Sequence, residues 1–504
     1  MEDVMITETG VMTLLSNLNS HSAHGPDGIS NHILKLCAIE IAPFLVAIFN
    51  KSLDYKKLPN DWKLANVTPI HKDGDRANIC NYRPVSLTSV SCKTLEHIIY
   101  SGLMKHLNGH DFFTTAQHGF RSGLSCTTQL TEFIHDVAEG IDRGVQIDAV
   151  FLDFRKAFDV VSHSLLLTKL SYLGIPSRLL GWIQDYLYAR RQRVLINGVT
   201  SQSVQVLSGV PQGSVLGPLL FLVFVNDLPS ELCSRVRLYA DDCVLYRSVT
   251  CANDTILLQS DLDKVCAWCD KWKMTLNTSK CYLMQFTNKK KKIWGNYNLN
   301  QSVLQTKDRV KYLGITFTAK LDWTAHVDAI TARASCVLNL FKRNFKHTTP
   351  RLKETLYFTN VRPILEYGCV CWDPFTNILK DKLERVQKRA ARFVTGNYNF
   401  KVRGSELREA LGWKLLSHRR KVFRIKFLYD IYNNKTGINK SLYLRQPHYV
   451  SSRRDNTMKI RGYNCRINTF KYSFFPNTIS DWNLLPNEVF ESENFQAAID
   501  LAIF

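Results

Sequence analysis

The sequence predicts an α+β fold, in which helices pack on a small antiparallel sheet. Three observations within residues 148–248 predict it. DAVFLDF is a short apolar run of strand length, and VRLYA and CVLYRS are two further strand-like runs. QRVLING and SQSVQV form a predicted hairpin about Asn197-Gly198, because Asn-Gly is the strongest short hairpin signal. The segments between these strands have helical periodicity, which favours helices on one face of the sheet.

Three helices are predicted between these strands. HSLLLTKLSYL follows Ser162, a residue type that caps helices, and Gly174 ends it. A second helix begins at Pro176 and runs through LLGWIQDYLYAR. The third, LLFLVFVNDL, follows a loop rich in Gly and Pro that runs from Gly209 to Gly213.

The flanking segments are less regular before this region and more helical after it. Residues 1–145 are punctuated by turn residues, including the DGDR segment at 73–76. DTILLQSDLDKVCAWCDKW predicts an amphipathic helix, and VKYLGITF predicts one further strand. From about Trp323 onward, three long runs have apolar residues at helical spacing. We therefore divide the chain into segments 1–145, 146–320, 321–396 and 397–504.

Composition predicts a globular intracellular protein with a polyanionic partner. The 504 residues are 45% hydrophobic, and the 14 cysteines lack the repeated spacing of a disulfide framework. MEDVMITETG is not a signal peptide, and no apolar run reaches the roughly 18 residues of a membrane span. The net charge is +21, and residues 351–504 carry 27 Lys and Arg against 14 Asp and Glu. This favours nucleic acid over a basic protein without such a partner.

Three carboxylates are the first candidates for chemistry. Asp153 ends an apolar strand, and Asp241 and Asp242 lie at the tip of a predicted hairpin. A charge at the end of a buried strand is unfavourable unless it is compensated, and a divalent cation would compensate it. An isolated Asp-Asp pair is more often only a turn. The neighbouring motifs change that balance.

Those motifs resemble the reverse transcriptases of non-LTR (LINE-type, jockey-like) retrotransposons. FLDFRKAFD at 151–159, GVPQGSVLGPLLF at 209–221 and YADD at 239–242 are similar to the three central motifs of that family. GPDGI, TPIHKDGDRANICNYRPVSL, QHGFRSGLSCTTQL, LNTSKC and KYLGI resemble its flanking motifs, in the same order. The resemblance implies a right-hand polymerase, with fingers to about 145, a palm to about 320, a helical thumb to 396 and a basic, mostly helical C-terminal region.

The resemblance also implies roles for individual residues. Asp153, Asp241 and Asp242 would be catalytic and would bind two Mg²⁺ ions, for which Mn²⁺ could substitute. Lys280 would protonate the leaving pyrophosphate, and a solvated lysine at a strand edge is the alternative. The implied nucleotide-binding residues are Lys72, Arg83, Lys156, Ala157, Phe158 and Gln212. The implied primer grip consists of Tyr312, Leu313 and Gly314, pressing on the primer backbone.

Some of these residues have structural alternatives. Phe158 matches the position that selects deoxynucleotides by excluding a 2′-hydroxyl, but an aromatic residue taken by itself is more often part of the core. The loop that carries Gln212 could be an ordinary turn between a strand and a helix. Lys289–Lys292 is predicted to be a solvated loop, and a nuclear-import or phosphate-binding role is the less favoured interpretation. Cys266 and Cys269 are interpreted as thiols rather than as half of a zinc site.

The function that the resemblance implies is RNA-directed DNA synthesis. The partners would be an RNA template, a DNA primer and deoxynucleoside triphosphates, in the nucleus or cytoplasm and without a membrane. Endonuclease activity is expected to come from elsewhere, because no nuclease motif is recognisable. The alternatives are a reverse transcriptase of the intron-maturase type and a non-catalytic RNA-binding remnant. The intact set of three aspartates disfavours the remnant.

Overall fold

The computed structural model describes residues 1–72, 74–451 and 455–502, so Asp73 of the DGDR segment lies outside the described residues. The described residues form a mixed α/β structure. The strands are β1 Leu64–His71, β2 Tyr82–Leu87, β3 Gln146–Asp153, β4 Arg191–Ile196, β5 Val199–Thr200, β6 Val204–Gln205, β7 Arg235–Tyr239, β8 Asp242–Val249, β9 Tyr282–Phe286, β10 Asn298–Leu299, β11 Ser302–Val303, β12 Gln305–Thr306, β13 Arg309–Tyr312 and β14 Ile315–Thr318.

The helices surround these strands and fill the C-terminal part of the described chain. They are α1 Glu8–Ser16, α2 Asn31–Leu36, α3 Ala38–Asp54, α4 Val90–Gly109, α5 Cys126–Asp142, α6 His163–Ser171, α7 Ser177–Leu187, α8 Leu216–Val225, α9 Ala252–Trp272, α10 Thr324–Asn344, α11 Pro350–Leu356, α12 Arg362–Glu366, α13 Cys369–Trp372, α14 Asn377–Thr395, α15 Gly404–Ala410, α16 Leu416–Tyr432, α17 Asn468–Lys471, α18 Phe474–Trp482, α19 Asn487–Glu491 and α20 Phe495–Ala502. Short 3₁₀ turns lie at Asn60–Lys63, Ile79–Asn81, Leu228–Glu231, Thr278–Lys280 and Lys440–Leu442, and a π-helical turn lies at Tyr357–Val361.

A central sheet with the order β12-β9-β3-β8-β7 organises the molecule. Strand β3 lies in its middle and is antiparallel to both β8 and β9. Successive side chains of β3 enter different cores: Val150 and Leu152 pack in one apolar cluster, whereas Ala149 and Phe151 pack in another. Because both faces are covered, the strand is buried along nearly its whole length. The strand predicted at DAVFLDF is therefore confirmed.

A second sheet combines strands that are far apart in the sequence. Its order is β2-β1-β4-β5, and β6 pairs with β4. Strand β4 lies parallel to β1, which brings the predicted hairpin next to the N-terminal strands. That hairpin is confirmed, and Asn197 and Gly198 at its turn have φ of 50° and 83°. Positive φ at both turn residues is the geometry that Asn-Gly favours.

The predicted helices are also present, with differences in local detail. Ser162 occupies the N-cap of α6 but makes no capping hydrogen bond, because its hydroxyl lies 3.1 Å from the hydroxyl of Ser164 instead. VKYLGITF is not one strand but a hairpin, in which β13 and β14 pair across Leu313 and Gly314. Apolar and β-branched residues occur on both sides of the turn, which is why the sequence predicted a single strand.

The C-terminal helices pack against the rest of the described chain. The ring of Trp413 stacks on that of Tyr357 at 4.5 Å, and the carboxylate of Asp142 on α5 accepts the N–H groups of Arg466 and Ile467. The described residues after 396 are thus folded onto the rest of the chain. Among the described residues, no helix is long and apolar enough to span a bilayer.

Candidate active site

The three predicted carboxylates meet at one end of the central sheet. The register of β3 and β8 places Asp153 directly opposite Asp242. Asp241 lies in the tight turn between β7 and β8, next to Ala240, which has a φ of 55°. The side-chain oxygen of Gln117 accepts the N–H of Ala240 at 3.0 Å. This hydrogen bond holds the turn in its strained conformation.

Burial and neighbouring negative charge raise the pKa values of Asp241 and Asp242. Desolvation, followed by the charges of Asp241 and Asp153, raises the pKa of Asp242 to about 6. Desolvation also raises the pKa of Asp241, and the charge of Asp153 adds to that effect. A divalent cation at this point would relieve the repulsion, and carboxylate oxygens are the ligands that Mg²⁺ prefers.

Within the described residues, however, no three His, Cys, Asp or Glu side chains form a group that could hold a metal ion on its own. Mg²⁺ is commonly bound by one or two carboxylates together with substrate phosphates. The donor set therefore fits metal ions that arrive with a triphosphate better than a preformed metal centre.

Asn277 is a site residue that the sequence analysis missed. Its side-chain amide donates to Oδ2 of Asp153 at 3.1 Å, and its backbone N–H donates to the Asp153 carbonyl at 2.8 Å. Asn277 belongs to the LNTSKC motif, and it immediately precedes the 3₁₀ turn that carries the exposed Lys280. The available signal was the position of Asn277 two residues before Ser279, a pattern typical of a turn.

Lys72 and Arg83 approach the carboxylates from the second sheet. Lys72 directly follows β1, and Arg83 lies in β2 opposite Ile70. Both side chains are exposed. The charges of both residues oppose the rise in the pKa of Asp241 and Asp242. The structure therefore places these two cations within electrostatic range of the acidic end of the central sheet.

Gln212 lies in a loop whose backbone packs closely against β2. Gly213 has a φ of 114°, and a Cβ there would come within 2.4 Å of the Ser86 carbonyl oxygen. The Gln212 carbonyl accepts the N–H of Ser86 at 2.8 Å, and its side-chain amide donates to Oδ1 of Asp159 at 2.9 Å. Together with Lys156, these residues line a cavity of about 440 Å³.

Phe158 packs against other aromatic rings without being fully covered. Its ring stacks on Phe221 at 4.2 Å and meets the edge of Phe120 at 6.3 Å, but it remains half-buried. Nearby, Lys156 has a φ of 49°, and the Ala157 side chain is buried. The N–H groups of Lys156 and Ala157 donate to no acceptor within the part of the chain that the structure describes. They are thus free to bind an anion.

The predicted primer grip needs a correction at Tyr312. Its ring is buried and meets that of Phe151 at 5.1 Å, and its hydroxyl accepts a hydrogen bond from Gln129. It therefore cannot press on a primer. Leu313 and Gly314 form the turn itself, and the Tyr367 hydroxyl donates to the Leu313 carbonyl at 3.2 Å.

A cavity of about 330 Å³ between the carboxylates and this hairpin is strongly basic. Lys307, Arg309 and Lys311 line it together with Asp153 and Asp242. These three cations are not among the residues predicted from the sequence. Their spacing of two residues places them on one face of an extended segment, and that period was the signal that could have identified them.

The structure thus combines three carboxylates at one end of the central sheet, the Gln212 loop packed on β2, and basic side chains on both sides. Residues 70–317 match the family described as reverse transcriptase (RNA-dependent DNA polymerase). This segment belongs to that family, whose members generally use divalent metal ions.

Named relatives come from non-LTR retrotransposons. The chain is 31% identical over 415 residues to the probable RNA-directed DNA polymerase from transposon BS of Drosophila melanogaster, which covers 80% of this chain and 46% of the relative. It is 30% identical over 408 residues to the RNA-directed DNA polymerase from mobile element jockey of the same species. This match covers 78% of this chain and 44% of the relative. The chain therefore spans less than half the length of these relatives. The recognition of a non-LTR reverse transcriptase from its motifs is confirmed.

Proposed function

We propose that this chain is an RNA-directed DNA polymerase of a non-LTR retrotransposon, which extends a primer 3′-hydroxyl on an RNA template. The observation that carries the proposal is the register that sets Asp153 opposite Asp242 and beside Asp241. The cations of Lys72 and Arg83 face this acidic end, as a site that receives a triphosphate requires.

We further propose that the molecule is a right hand. Residues 1–145 would form the fingers, 146–320 the palm, 321–396 the thumb, and 397–504 a basic C-terminal region. These segments are chain ranges rather than separate cores, since β4 pairs with β1 and α5 packs on the central sheet. The strands at 191–205 would thus form part of the fingers surface.

The proposed mechanism assigns a task to each part of the site. Asp153, Asp241 and Asp242 would hold two divalent cations, taken to be Mg²⁺ with Mn²⁺ as a substitute, and these ions would supply charge stabilisation to the reacting phosphate. Lys72 and Arg83 bind the outer phosphates, and the free N–H groups of Lys156 and Ala157 donate to them.

Three further residues would act on the substrate's sugar and leaving group. Gln212, oriented by Asp159, contacts the nucleotide near its sugar. The Phe158 ring excludes a 2′-hydroxyl. Lys280 lines the same cavity as Asp153 and protonates the pyrophosphate as it leaves.

The test is primer extension by the purified chain on an RNA template, with deoxynucleoside triphosphates and magnesium. Extension that requires the RNA strand supports the proposal. Template binding without extension by the wild-type chain would favour the non-catalytic remnant instead. An intron-maturase type enzyme is not favoured, because the named relatives are mobile-element polymerases of another class.

The proposed chemistry needs a primer end that is already free. A nick that provides one would come from a separate nuclease, because the assigned carboxylates are arranged for a primer and a triphosphate. The purified chain should therefore extend an annealed primer and leave supercoiled plasmid intact. Relaxation of the plasmid that survives Asp153→Asn would contradict this part of the proposal.

A further inference from the structure

A loop between α14 and α15 exposes two aromatic rings to solvent. We call residues 396–403 the stacking loop. Tyr398 is 59% exposed and Phe400 is 88% exposed, although only one residue separates them. Single exposed apolar side chains are common, but two large exposed rings on one short loop offer more apolar surface, and exposed apolar surface of this kind is found at binding sites.

The stacking loop is held in shape from beneath by Arg392. Its guanidinium donates to the carbonyl oxygens of Asn399 at 2.9 Å and Val402 at 2.6 Å, and more weakly to that of Asn397. The side chain of Asn399 also accepts the N–H of Lys401 at 3.0 Å. Because these bonds fix the backbone, a ligand that stacks on the rings meets a largely preorganised surface.

Several basic side chains lie in and beside the stacking loop. The ammonium group of Lys342 on α10 lies 5.8 Å from the centre of the Tyr398 ring. None of the basic side chains in and beside the loop has a carboxylate within 4.0 Å in the described parts of the chain. They are Lys342, Lys388, Arg389, Arg392, Lys401 and Arg403. Glu406 is the nearest acid in sequence, and its carboxylate accepts the backbone N–H of Arg403 at 3.3 Å.

We propose that the stacking loop binds a single-stranded stretch of nucleic acid. Bases stack on Tyr398 and Phe400, while the cations of the loop region other than Arg392, whose guanidinium holds the loop, contact the phosphates. Flat aromatic faces combined with unpaired positive charge are the features by which proteins bind single strands without reading their sequence. Duplex bases are already stacked on each other and cannot use the rings.

This site is separate from the carboxylate site. None of its residues lines the cavities beside Asp153 and Gln212. The inference goes beyond the proposed polymerisation, because binding at the loop needs neither a nucleotide nor a metal ion. The ligand chemistry, bases on a phosphate backbone, is shared by RNA and DNA single strands.

The test measures binding by the full chain without nucleotides or magnesium. The probes are a labelled oligouridylate, an oligothymidylate of equal length and a blunt duplex, followed by fluorescence anisotropy. Tyr398→Ala with Phe400→Ala should weaken single-strand binding about tenfold per ring, without changing its salt dependence. Tyr172→Ala, which removes a ring that is 84% exposed just after α6, is the matched control and should change nothing.

A second variant separates stacking from charge. Lys342→Gln with Lys401→Gln should lower the log–log salt slope of single-strand binding by about 0.7 for each phosphate that the variant no longer binds. Duplex binding should weaken in this variant and stay unchanged in the aromatic variant. If the aromatic variant binds only the oligouridylate more weakly, the ligand is RNA. If it binds the oligouridylate and the oligothymidylate equally more weakly, the loop accepts single strands of both RNA and DNA.

Unchanged affinity for both single strands in the aromatic variant would overturn the proposal and leave a protein partner as the explanation for the exposed rings. An equal loss of affinity in Tyr172→Ala would overturn it as well. Thermal unfolding of each variant confirms that it is folded. Asp241→Asn separates this result from the polymerase proposal, because that variant should bind both oligonucleotides normally whether or not the chain extends primers.

Discussion

Asp153 and Asp242 lie directly opposite each other on neighbouring antiparallel strands, at the end where both strands meet the β7–β8 turn. The Cα atoms of residues opposite each other in an antiparallel pair are about 4.5–5.5 Å apart. Two like charges at that separation destabilise the sheet end unless something positive lies between or beside them. This pairing is the structural basis of the proposed catalytic site.

The first prediction concerns Asp241. Asp241→Asn should abolish primer extension and leave RNA binding nearly unchanged, because loss of a carboxylate removes transition-state stabilisation on the order of several kcal/mol. Asp242→Asn should reduce extension less severely. Asp270→Asn, at an exposed position at the end of α9, is the control. Extension by Asp241→Asn at the wild-type rate would refute the assignment of the carboxylates.

The second prediction concerns sugar selection. Phe158→Val should increase the use of ribonucleotides relative to deoxynucleotides, because it removes the ring that would overlap a 2′-hydroxyl. Phe158→Tyr keeps a ring on Phe221 and should preserve the discrimination. Single-nucleotide incorporation with each sugar measures the ratio. If the ratio is the same in the valine variant, Phe158 serves only the packing of the core.

The central sheet was predictable from the sequence because its signals are local. An apolar run that ends at Asp153, and two such runs that flank Asp241 and Asp242, specify strands and a turn without reference to distant residues. Nothing local indicates that β4 lies parallel to β1, since more than 100 residues separate them. The pairing of Lys72 and Arg83 with the acidic end could be inferred only from the family resemblance.

The burial of charged residues was equally invisible in the sequence. Arg420 and Arg424 occur in a run of helical, strongly basic residues, where they would be expected on a solvated face. Both are instead buried, because Asp373 lies beneath them in a segment 47 residues before Arg420. Tyr312 was misjudged for a related reason: alternation in β13 does not tell which face is covered.

The third prediction concerns this buried charge network. Asp373 accepts the guanidinium N–H of Arg420 at 2.7 Å and that of Arg424 at 3.0 Å. Asp373→Ala leaves both cations without this partner inside the protein and should lower the free energy of unfolding by about 3–5 kcal/mol. Urea unfolding measures the change.

A surface carboxylate provides the control for that measurement. Asp500 pairs with Lys414 at 2.7 Å, but both side chains are about two-fifths exposed. Asp500→Ala should therefore cost no more than about 1 kcal/mol. Equal effects of the two substitutions would mean that the Asp373 network is screened by solvent and does not stabilise the C-terminal region.

The last prediction concerns pH and the contact between α5 and the C-terminal region. His135 on α5 is buried among four rings of that region, those of Tyr443, Tyr463, Phe470 and Phe475. Burial lowers its pKa to about 4, from an ordinary value near 6.5. The unfolded chain thus binds more protons than the folded chain between these two values, and stability falls as the pH falls through that window.

His135→Phe should remove this pH dependence while keeping a ring in the same place. The wild-type chain should lose on the order of 2 kcal/mol through His135 between pH 7 and pH 4.5, and the variant should lose correspondingly less. Urea unfolding at a series of pH values measures the difference, and His347→Phe, at an exposed position after α10, is the control. His326 is also buried with a pKa of about 4, so the variant should keep part of the acid sensitivity. Parallel pH profiles for the wild type and His135→Phe would show that the ring cluster opens or hydrates before His135 is protonated, and that the acid lability of the chain originates elsewhere.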